Sequence, residues 1–281
     1  MRQIYLCAIN NILSGSCNQD CSFCTQSVKH NADIDRYYLK PIEQIILEAK
    51  RAREVGALGY CLVTSGLGLD DKKTEYVAKA AKEIKQVIDG IHLIACNGIA
   101  SVEQLKYLKE SGVDSYNHNL ESSQEYYKKI CSTHSWDDRY QTCLNAKSAG
   151  LSLCSGGIFG MGESNEDRIS LIKSIISLNP NAIPVNFYHP NDALPLKSNN
   201  LSKDEAIDII KDIKNSFPEE TIIMIAGGRE LVFGKNLKEM FEAGANSMVI
   251  GNYLTTQGEL PEFDKQILSE LNLEIATVCP N

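Results

Sequence analysis

The chain has 281 residues, and its 36 acidic against 28 basic side chains give a formal net charge of −8. This acidic balance argues against nucleic acid as a partner, because phosphate binding is driven by Lys and Arg. No run of about 18 apolar residues is present, so no membrane span is expected, and Asn10 and Asn11 interrupt the apolar N-terminal stretch, which makes it a poor signal peptide.

Hydrophobic patterning predicts strands that alternate with helices along the whole chain. The predicted strands are 3–8, 59–64, 92–96, 113–119, 151–157, 182–188, 221–227 and 247–251. The predicted helices are 41–56, 72–88, 101–112, 122–129, 136–149, 164–178, 202–216 and 234–243. Some boundaries carry their own signals: Pro41 opens a helix that Gly56 ends, and Ser101 with Gln104 forms a capping box.

Eight strand–helix units predict an α/β fold in which a parallel sheet closes into a (β/α)8 barrel of the TIM type. Such a barrel of roughly 250 residues is the usual single-domain solution for a chain of this size. We therefore expect one domain over residues 1–281, in which residues 252–281 form a C-terminal helix and tail packed on the barrel.

The most informative stretch is GSCNQDCSFC, residues 15–24, which we call the cysteine loop. It spaces Cys17, Cys21 and Cys24 as C-x3-C-x2-C, with Phe23 before the third cysteine. The loop offers three thiolates and no obvious fourth ligand. A structural zinc site requires four ligands, whereas a cubane iron–sulfur cluster on three cysteines keeps one iron open. Disulfides are the other interpretation, but ten cysteines without a secretory signal favour a reducing cytoplasm and metal binding.

Four more cysteines lie on four different predicted strands, namely Cys7, Cys61, Cys96 and Cys154. Inward-facing residues of different barrel strands stack in layers, so these thiols can meet in the lumen if they share the inward phase. A single cysteine of this kind is more often a small buried hydrophobe than a ligand. The joint pattern nevertheless predicts a second cluster beneath the first. Three cysteines are interpreted as structural or incidental, namely Cys131, Cys143 and Cys279.

The cysteine loop resembles the signature of the radical S-adenosylmethionine (AdoMet) enzymes. That resemblance implies a 4Fe–4S cluster whose open iron binds the amino and carboxylate groups of AdoMet. Further blocks resemble the biotin synthase family over about residues 3–275, namely GALGYCLVTSG, YNHNLESS, LCSGGIFGMGE, IPVN and AGGRE…AGANSMVIGN. This narrower resemblance implies a sulfurtransferase that converts dethiobiotin to biotin by radical sulfur insertion between C6 and C9, the last step of biotin biosynthesis.

By the same resemblance, Cys61, Cys96 and Cys154 hold an auxiliary 2Fe–2S cluster that donates the sulfur. The family's usual fourth ligand is an arginine, and that position is Met224 here, whereas Cys7 stands where related sequences usually carry serine. A thioether and a guanidinium are not equivalent groups. One interpretation is that Cys7 replaces the arginine and that the auxiliary cluster differs in nuclearity from 2Fe–2S. The other is that Cys7 is a core residue and the fourth site is filled by water, sulfide or nothing.

Polar residues near the predicted strand ends are candidates for ligand binding. Asn117 and Asn119 are two apart on one strand, so they share a face, and their amides can pair with a ureido ring. By resemblance, Asn186 is another dethiobiotin contact, Glu121 binds the AdoMet ribose hydroxyls where the family usually has aspartate, and Arg139 pairs with the AdoMet carboxylate. The remaining cofactor contacts implied are Phe23, Asn119, Gly156 and Gly157.

Some of these residues have a simpler interpretation. Without the resemblance, the simpler interpretation of Arg139 in WDDRY is a solvated helix residue that pairs with Asp137. Tyr116, His118 and Ser247 are further lumen or rim candidates, but His118 lies between two inward-facing asparagines and is expected to point outward as a packed, hydrogen-bonded histidine.

The resemblance also implies an electron donor such as flavodoxin or ferredoxin, and a homodimer. Two other functions stay open. One is a different biotin-synthase-like radical AdoMet enzyme, such as a hydrogenase-maturation enzyme, which would not be expected to keep three strand cysteines together with the YNHNLE block. The other is a non-catalytic protein that binds zinc through the cysteine loop.

Overall fold

A closed barrel of parallel strands is the framework of the molecule. The computed structural model describes residues 3–197 and 201–279, so the ends of the predicted 1–281 domain lie outside the described residues. The strands are β1 Gln3–Leu13, β2 Gly59–Thr64, β3 His92–Cys96, β4 Ser115–Asn117, β5 Ser152–Cys154, β6 Gly157–Phe159, β7 Ala182–Phe187, β8 Ile222–Ile225, β9 Ser247–Val249 and β10 Glu274–Ile275. All pairings between them are parallel, and β1 pairs with both β2 and β9, which closes the barrel and confirms the predicted (β/α)8 fold.

The fifth barrel position is built from two short strands rather than one. β5 and β6 both pair with β7, and the strand conformation is interrupted between them at Gly156. A Cβ atom on Gly156 would lie 1.9 Å from the carbonyl oxygen of Pro184, so the backbones approach more closely here than a side chain permits. The strand predicted over 151–157 is therefore present at the expected position, but it is divided into two short strands.

The helices surround the barrel as its outer layer. They are α1 Ile42–Glu54, α2 Asp71–Val87, α3 Val102–Glu110, α4 Gln124–Ile130, α5 Trp136–Ser148, α6 Asn165–Leu178, α7 Lys203–Ser216, α8 Arg229–Phe233, α9 Lys238–Ala243 and α10 Pro261–Glu270. The capping box of Ser101 and Gln104 is present at α3. The helix predicted over 234–243 is the shorter α9, Lys238–Ala243. The preceding α8, which ends at Gly234 with a φ of 55°, was not predicted. Within the described ranges, no helix is long and apolar enough to cross a membrane.

The two faces of the strands pack into two separate apolar clusters. Outward side chains such as Leu6, Tyr60 and Leu62 join the large core between strands and helices. The alternate residues Cys7 and Cys61 belong to a smaller cluster that fills the lumen. This alternation follows from the period of two along a strand.

The C-terminal segment is tied to the barrel by a buried ion pair. Arg229 at the start of α8 is 1% exposed, and its two terminal nitrogens lie 2.7 and 3.1 Å from the carboxylate oxygens of Asp264 on α10. Bidentate geometry compensates for part of the desolvation of both charges. After α10, β10 adds to β1 through Gln3–Glu274 and Ile4–Ile275, a pairing that the sequence did not predict.

The buried ion pair should dominate the stability of this segment. Asp264→Ala removes the bidentate partner of the buried Arg229 charge and leaves only its 3.0 Å contact with Glu230. We therefore expect a loss in the free energy of unfolding that approaches the cost of an uncompensated buried charge, about 3–5 kcal/mol. The control is Glu242→Ala, which breaks an exposed pair with Lys238 at 3.5 Å and should cost less than about 1 kcal/mol. Urea unfolding of both variants measures the difference, and equal losses would contradict the role given to Asp264.

Candidate active site

The cysteine loop follows β1 at the carboxyl end of the barrel strands and folds back on itself. The Cys17 N–H donates to the carbonyl of Gln26 at 3.2 Å, and the Val28 N–H donates to the carbonyl of Cys17 at 2.7 Å. Gly15 has a φ of 70°, and a Cβ atom there would lie 2.6 Å from Cγ of Arg36. These constraints hold the loop's three thiols at the end of the barrel where TIM-type active sites lie.

Beside this loop lies a cavity of about 320 Å³, which we call the upper cavity. It brings together five residues predicted from the sequence, namely Phe23, Cys24, Asn119, Glu121 and Asn186. Gly227, Gly228 and Tyr253 also line it. Burial raises the pKa of the Cys24 thiol to about 11, so a thiolate here requires a metal or another positive charge.

Glu121 and Arg139 form an ion pair at the edge of this cavity. Nη2 of Arg139 lies 2.9 Å from Oε1 of Glu121, and its Nε donates to the carbonyl of Asn119 at 2.7 Å. Arg139 is therefore not a solvated partner of Asp137, which accepts a hydrogen bond from Gln124 instead. Burial raises the pKa of Glu121, although Arg139 opposes the shift. Oε2 of Glu121 is buried and has no partner in the described part of the chain.

The side-chain amides of Asn117, Asn119 and Asn186 differ in how many of their polar atoms already have hydrogen-bond partners. Oδ1 of Asn119 accepts from the Gly156 N–H at 3.1 Å. Asn186 accepts from the Gly227 N–H at 3.0 Å and donates to the Gly157 carbonyl at 3.2 Å. Oδ1 of Asn117 is buried without a partner among residues 3–197 and 201–279, so its acceptor remains free.

Gly156 and Gly157, the two glycines predicted to contact the cofactor, allow close packing in this structure. A Cβ atom on Gly157 would lie 2.7 Å from Cδ2 of Leu171 and 2.9 Å from the carbonyl oxygen of Glu121. In the described chain, neither Gly156 nor Gly157 is among the residues that line the upper cavity. Their contribution to cofactor binding therefore stays a prediction.

Below the upper cavity, the strand cysteines converge inside the barrel. Cys61 and Cys96 belong to the small lumen cluster, which also contains Cys7 and Met224. A second cavity of about 290 Å³, which we call the lower cavity, is lined by Cys7, Cys154 and Met224. Burial raises the pKa of Cys154 to about 12 and also raises that of Cys7. These thiols are stable as neutral groups and become thiolates only when a metal compensates their charge.

The lower cavity also contains polar residues that the sequence reasoning missed. Nε2 of His92 lies 2.6 Å from Oγ of Ser115, and both residues line the lower cavity together with Cys154. Burial lowers the pKa of His92, which favours the neutral imidazole. The period of two could have found this pair, because His92 precedes Cys96 by four residues and Ser115 precedes Asn117 by two.

Cys279 also lines the lower cavity, although it was interpreted as incidental. It lies in the tail after β10, beyond the last regular element. No periodic signal could have placed it there. Ser247, the predicted rim candidate, lines the same cavity and donates to the Tyr5 carbonyl at 2.8 Å.

Two other candidates face away from the lumen. Tyr116 packs in the outer core and donates to the Gly98 carbonyl at 2.6 Å, so its prediction as a lumen residue was wrong. His118 is 3% exposed, and burial lowers its pKa well below the usual range. Its Nε2 has no hydrogen-bond partner within the described residues, contrary to the expectation of a hydrogen-bonded ring. The nearby Cys143 Sγ lies 3.1 Å from the His118 carbonyl.

Comparisons with known families match almost the whole chain. Residues 11–175 match the Radical SAM superfamily, and residues 184–274 match the Biotin and Thiamin Synthesis associated domain. The chain is 59% identical over 278 residues to "Biotin synthase" of Sulfurovum sp. (strain NBC37-1), with 99% of this chain and 98% of the relative covered. It is 58% identical over 277 residues to the protein of the same name from Aliarcobacter butzleri (strain RM4018), covering 99% and 98%.

Solved structures agree on the fold at lower sequence identity. Methylornithine synthase (PylB) superposes with a TM-score of 0.81 at 19% identity, over 98% of this chain and 84% of that one. The hydrogenase maturase HydG from Carboxydothermus hydrogenoformans gives a TM-score of 0.83 at 19% identity, over 96% and 67%. These likenesses support the barrel and do not discriminate between reactions.

Breaking the ion pair between Glu121 and Arg139 should destabilise the folded chain in a pH-dependent way. Arg139→Met leaves the buried Glu121 carboxyl without its counter-charge, so we expect a loss of about 3–5 kcal/mol near neutral pH. The folded-state pKa of Glu121 is already raised above its ordinary value of 4.5 and should rise further in this variant. A carboxyl group whose pKa is raised by folding destabilises the folded state when it ionises. The stability deficit of Arg139→Met should therefore be smallest below the pKa of Glu121 in the unfolded chain and should grow as pH rises.

The double variant Glu121→Gln with Arg139→Met is the control, because it removes both charges. Urea unfolding across the acid to neutral range should show that the double variant is more stable than Arg139→Met at neutral pH. A deficit in Arg139→Met that does not change with pH would contradict the pairing.

Proposed function

The chain belongs to the biotin synthase family of radical AdoMet enzymes, and on that premise we propose which of its residues carry each part of the conversion of dethiobiotin to biotin. The enzyme is a radical AdoMet sulfurtransferase that uses a 4Fe–4S cluster and AdoMet. One observation carries the residue assignment: Cys24 of the cysteine loop lines the upper cavity, while the strand cysteines lie in the lumen cluster and at the lower cavity. The cysteine loop lies at the upper cavity, and the strand cysteines lie beneath it.

Cys17, Cys21 and Cys24 are the proposed ligands of the 4Fe–4S cluster. The donor set fits, because three thiols on one folded loop suit an iron–sulfur centre with an open iron. Together with AdoMet, that cluster supplies a 5′-deoxyadenosyl radical when bound. The protein contributes ligands, position and exclusion of water from the barrel interior.

Glu121 is the proposed ribose contact of AdoMet. Its Oε2 is buried and unpaired, which leaves an acceptor free for hydroxyl donors at the cavity. Arg139 holds the other carboxylate oxygen and thereby orients it. We keep Arg139 as the proposed partner of the AdoMet carboxylate as well, because a guanidinium has five donors and the contacts to Glu121, Asn119 and His134 use only three of them. Phe23 and Asn119 line the same cavity and complete the proposed site.

Dethiobiotin is proposed to bind deeper in the barrel, between the two thiol groups. Asn117 on β4 offers a free amide acceptor for a ureido N–H, and Asn186 lines the upper cavity from β7, two strand positions further round the barrel. Asn119 and Asn186 are each already bonded to backbone groups, so they are rigid contacts rather than flexible ones. This placement puts the substrate carbons within the interior that both thiol groups face.

Cys61, Cys96 and Cys154 are the proposed ligands of the auxiliary cluster, and Cys7 is the proposed fourth. Cys7 shares the lumen cluster with Cys61 and lines the lower cavity with Cys154. Met224 also faces the lumen, where a neutral thioether provides neither charge nor strong ligation. The nuclearity of the cluster stays open between 2Fe–2S and a larger core. The alternative is that Cys7 serves only as a core residue.

We also propose an electron donor such as flavodoxin or ferredoxin, a homodimer and a cytoplasmic location. The family resemblance supports the first two. The described cysteines are all free thiols, which supports a reducing compartment.

The test of the reaction is an anaerobic assay with dethiobiotin, AdoMet and a reductant. Cys17→Ala should abolish both 5′-deoxyadenosine and biotin, whereas Cys154→Ala should keep 5′-deoxyadenosine and lower biotin by more than about 100-fold. Cys143→Ala is the matched control, because this buried thiol contacts the His118 carbonyl outside the lumen. It should keep both products. Formation of 5′-deoxyadenosine without biotin by the unmodified enzyme would overturn the substrate assignment.

Cys7→Ser tests the fourth auxiliary ligand. Serine keeps the size of the side chain but removes the thiolate, so the variant should show fewer irons per chain and an altered auxiliary-cluster Mössbauer signal. The cysteine-loop cluster should keep its own signal, which shows that the chain is folded. An auxiliary-cluster signal identical to that of the unmodified enzyme would show that Cys7 is a core residue.

A further inference from the structure

A second group of metal-ligating side chains lies against the cysteine loop, outside the barrel lumen. Sγ of Cys21 lies 3.6 Å from Sγ of Cys131, which in turn lies 3.3 Å from Nδ1 of His134. One ligand atom of each residue falls within 4.8 Å of the other two. With metal–sulfur bonds of roughly 2.3 Å and metal–nitrogen bonds of roughly 2.0–2.1 Å, tetrahedral ligand atoms lie about 3.3–3.8 Å apart. The distances from Cys21 to Cys131 and from Cys131 to His134 both fall in this range.

The turn that carries Cys131 and His134 is fixed to the cysteine loop by Asp20. Oδ1 of Asp20 accepts from the N–H groups of Ser132 and Thr133 at 3.0 and 3.2 Å, and from the Thr133 hydroxyl at 2.9 Å. Asp20 directly precedes Cys21 in the sequence. The two segments are more than a hundred residues apart in the chain, yet this carboxylate holds them in register. The three ligands are therefore positioned before any ion binds.

The imidazole of His134 is oriented in the way that metal-binding histidines usually are. Its Nε2 lies 2.7 Å from the hydroxyl of Tyr127, while Nδ1 faces Cys131 and lies 3.2 Å from Oε1 of Gln19. A hydrogen bond on one ring nitrogen fixes the direction in which the other points. Cys131 is 6% exposed and packs in an apolar cluster with Tyr127, which shields the site from solvent.

We propose that Cys21, Cys131 and His134 form a binding site for a single divalent transition-metal ion of the Zn²⁺ and Fe²⁺ class. Two thiolates and an imidazole are ligands that such ions prefer over Mg²⁺ or Ca²⁺. Binding releases one proton from each thiol and uses the neutral imidazole, so no oxidant or reductant is needed. The Gln19 amide oxygen or a water molecule takes the fourth position.

This site shares Cys21 with the 4Fe–4S cluster, and that part of the inference rests on the proposed function. A single ion that holds Cys21 toward Cys131 and His134 competes with the cluster for that thiolate. Ferrous iron at this site would lie next to the loop on which the cluster is built. Zinc at the same site would withhold one of the three cluster ligands and slow assembly.

Cobalt titration of the metal-free full-length chain tests the site directly. One equivalent of Co²⁺ should give the absorption of a tetrahedral ion with sulfur-to-metal charge transfer. Cys131→Ser and His134→Ala should weaken the affinity by more than about 100-fold, and Tyr127→Phe by about tenfold. Cys17→Ala and Cys24→Ala are the matched controls, because they remove cluster ligands that lie outside this group, and they should keep the spectrum.

Two results would overturn the proposal: tight Co²⁺ binding in Cys131→Ser and His134→Ala, or loss of the spectrum in Cys17→Ala and Cys24→Ala. Reconstitution with Fe²⁺ and sulfide provides a second measurement. One equivalent of Zn²⁺ should slow cluster formation in the unmodified chain but much less in His134→Ala, whose ability to form a cluster shows that it is folded. Equal inhibition of both proteins would also overturn the site. Biotin formation by the reconstituted enzyme is measured separately, so failure here leaves the proposed function standing.

Discussion

The inward phase of the barrel strands is the constraint on which the rest of this structure depends. In a closed parallel barrel, each strand presents alternate residues to the lumen, and a shift by one residue would turn all of them outward. Cys7, Cys61 and Met224 share the inward phase and pack together. Their neighbours Leu6, Tyr60 and Ile225 carry the contacts with the helices. The chemistry of the lumen and the stability of the outer core are therefore encoded on alternate residues of the same strands.

Polar groups near the carboxyl end of β4 are held in a state that favours ligand binding. Buried acceptors without a partner cost about 1–3 kcal/mol each, and Oδ1 of Asn117 and Oε2 of Glu121 are two such atoms near the end of one strand. Glu121 also has a φ of 66°, which is uncommon for a residue with a side chain. A ligand that donates hydrogen bonds to both acceptors would recover part of this cost. The site is thus preorganised at the expense of local stability, as is common at functional sites.

The sequence predicted the parts of the molecule that depend on local or periodic signals. The barrel, the capping box at Ser101 and the inward thiols followed from composition and period. Contacts between distant segments could not be predicted in this way. The ion pair of Arg139 with Glu121 requires the start of α5 to approach the end of β4, and the contact of Cys21 with Cys131 spans 110 residues. Cys279 was missed because it lies in a tail that has no period at all.

Cys7 and Met224 both affect the charge of the lumen in the same direction, and this bears on the auxiliary cluster. By the family resemblance, Met224 takes the place of an arginine, so the lumen would lack one positive charge, and ionisation of Cys7 would add one negative charge. The interior would then be two charges more negative than in the arginine-containing arrangement. Burial already raises the pKa of Cys7 and Cys154, so the protein itself does not stabilise additional thiolates. If Cys7 is a ligand, the compensating positive charge has to come from iron. The identity of residue 7 and the nuclearity of the cluster therefore belong to one hypothesis, because a fourth thiolate changes the set of ligands that the barrel offers to iron.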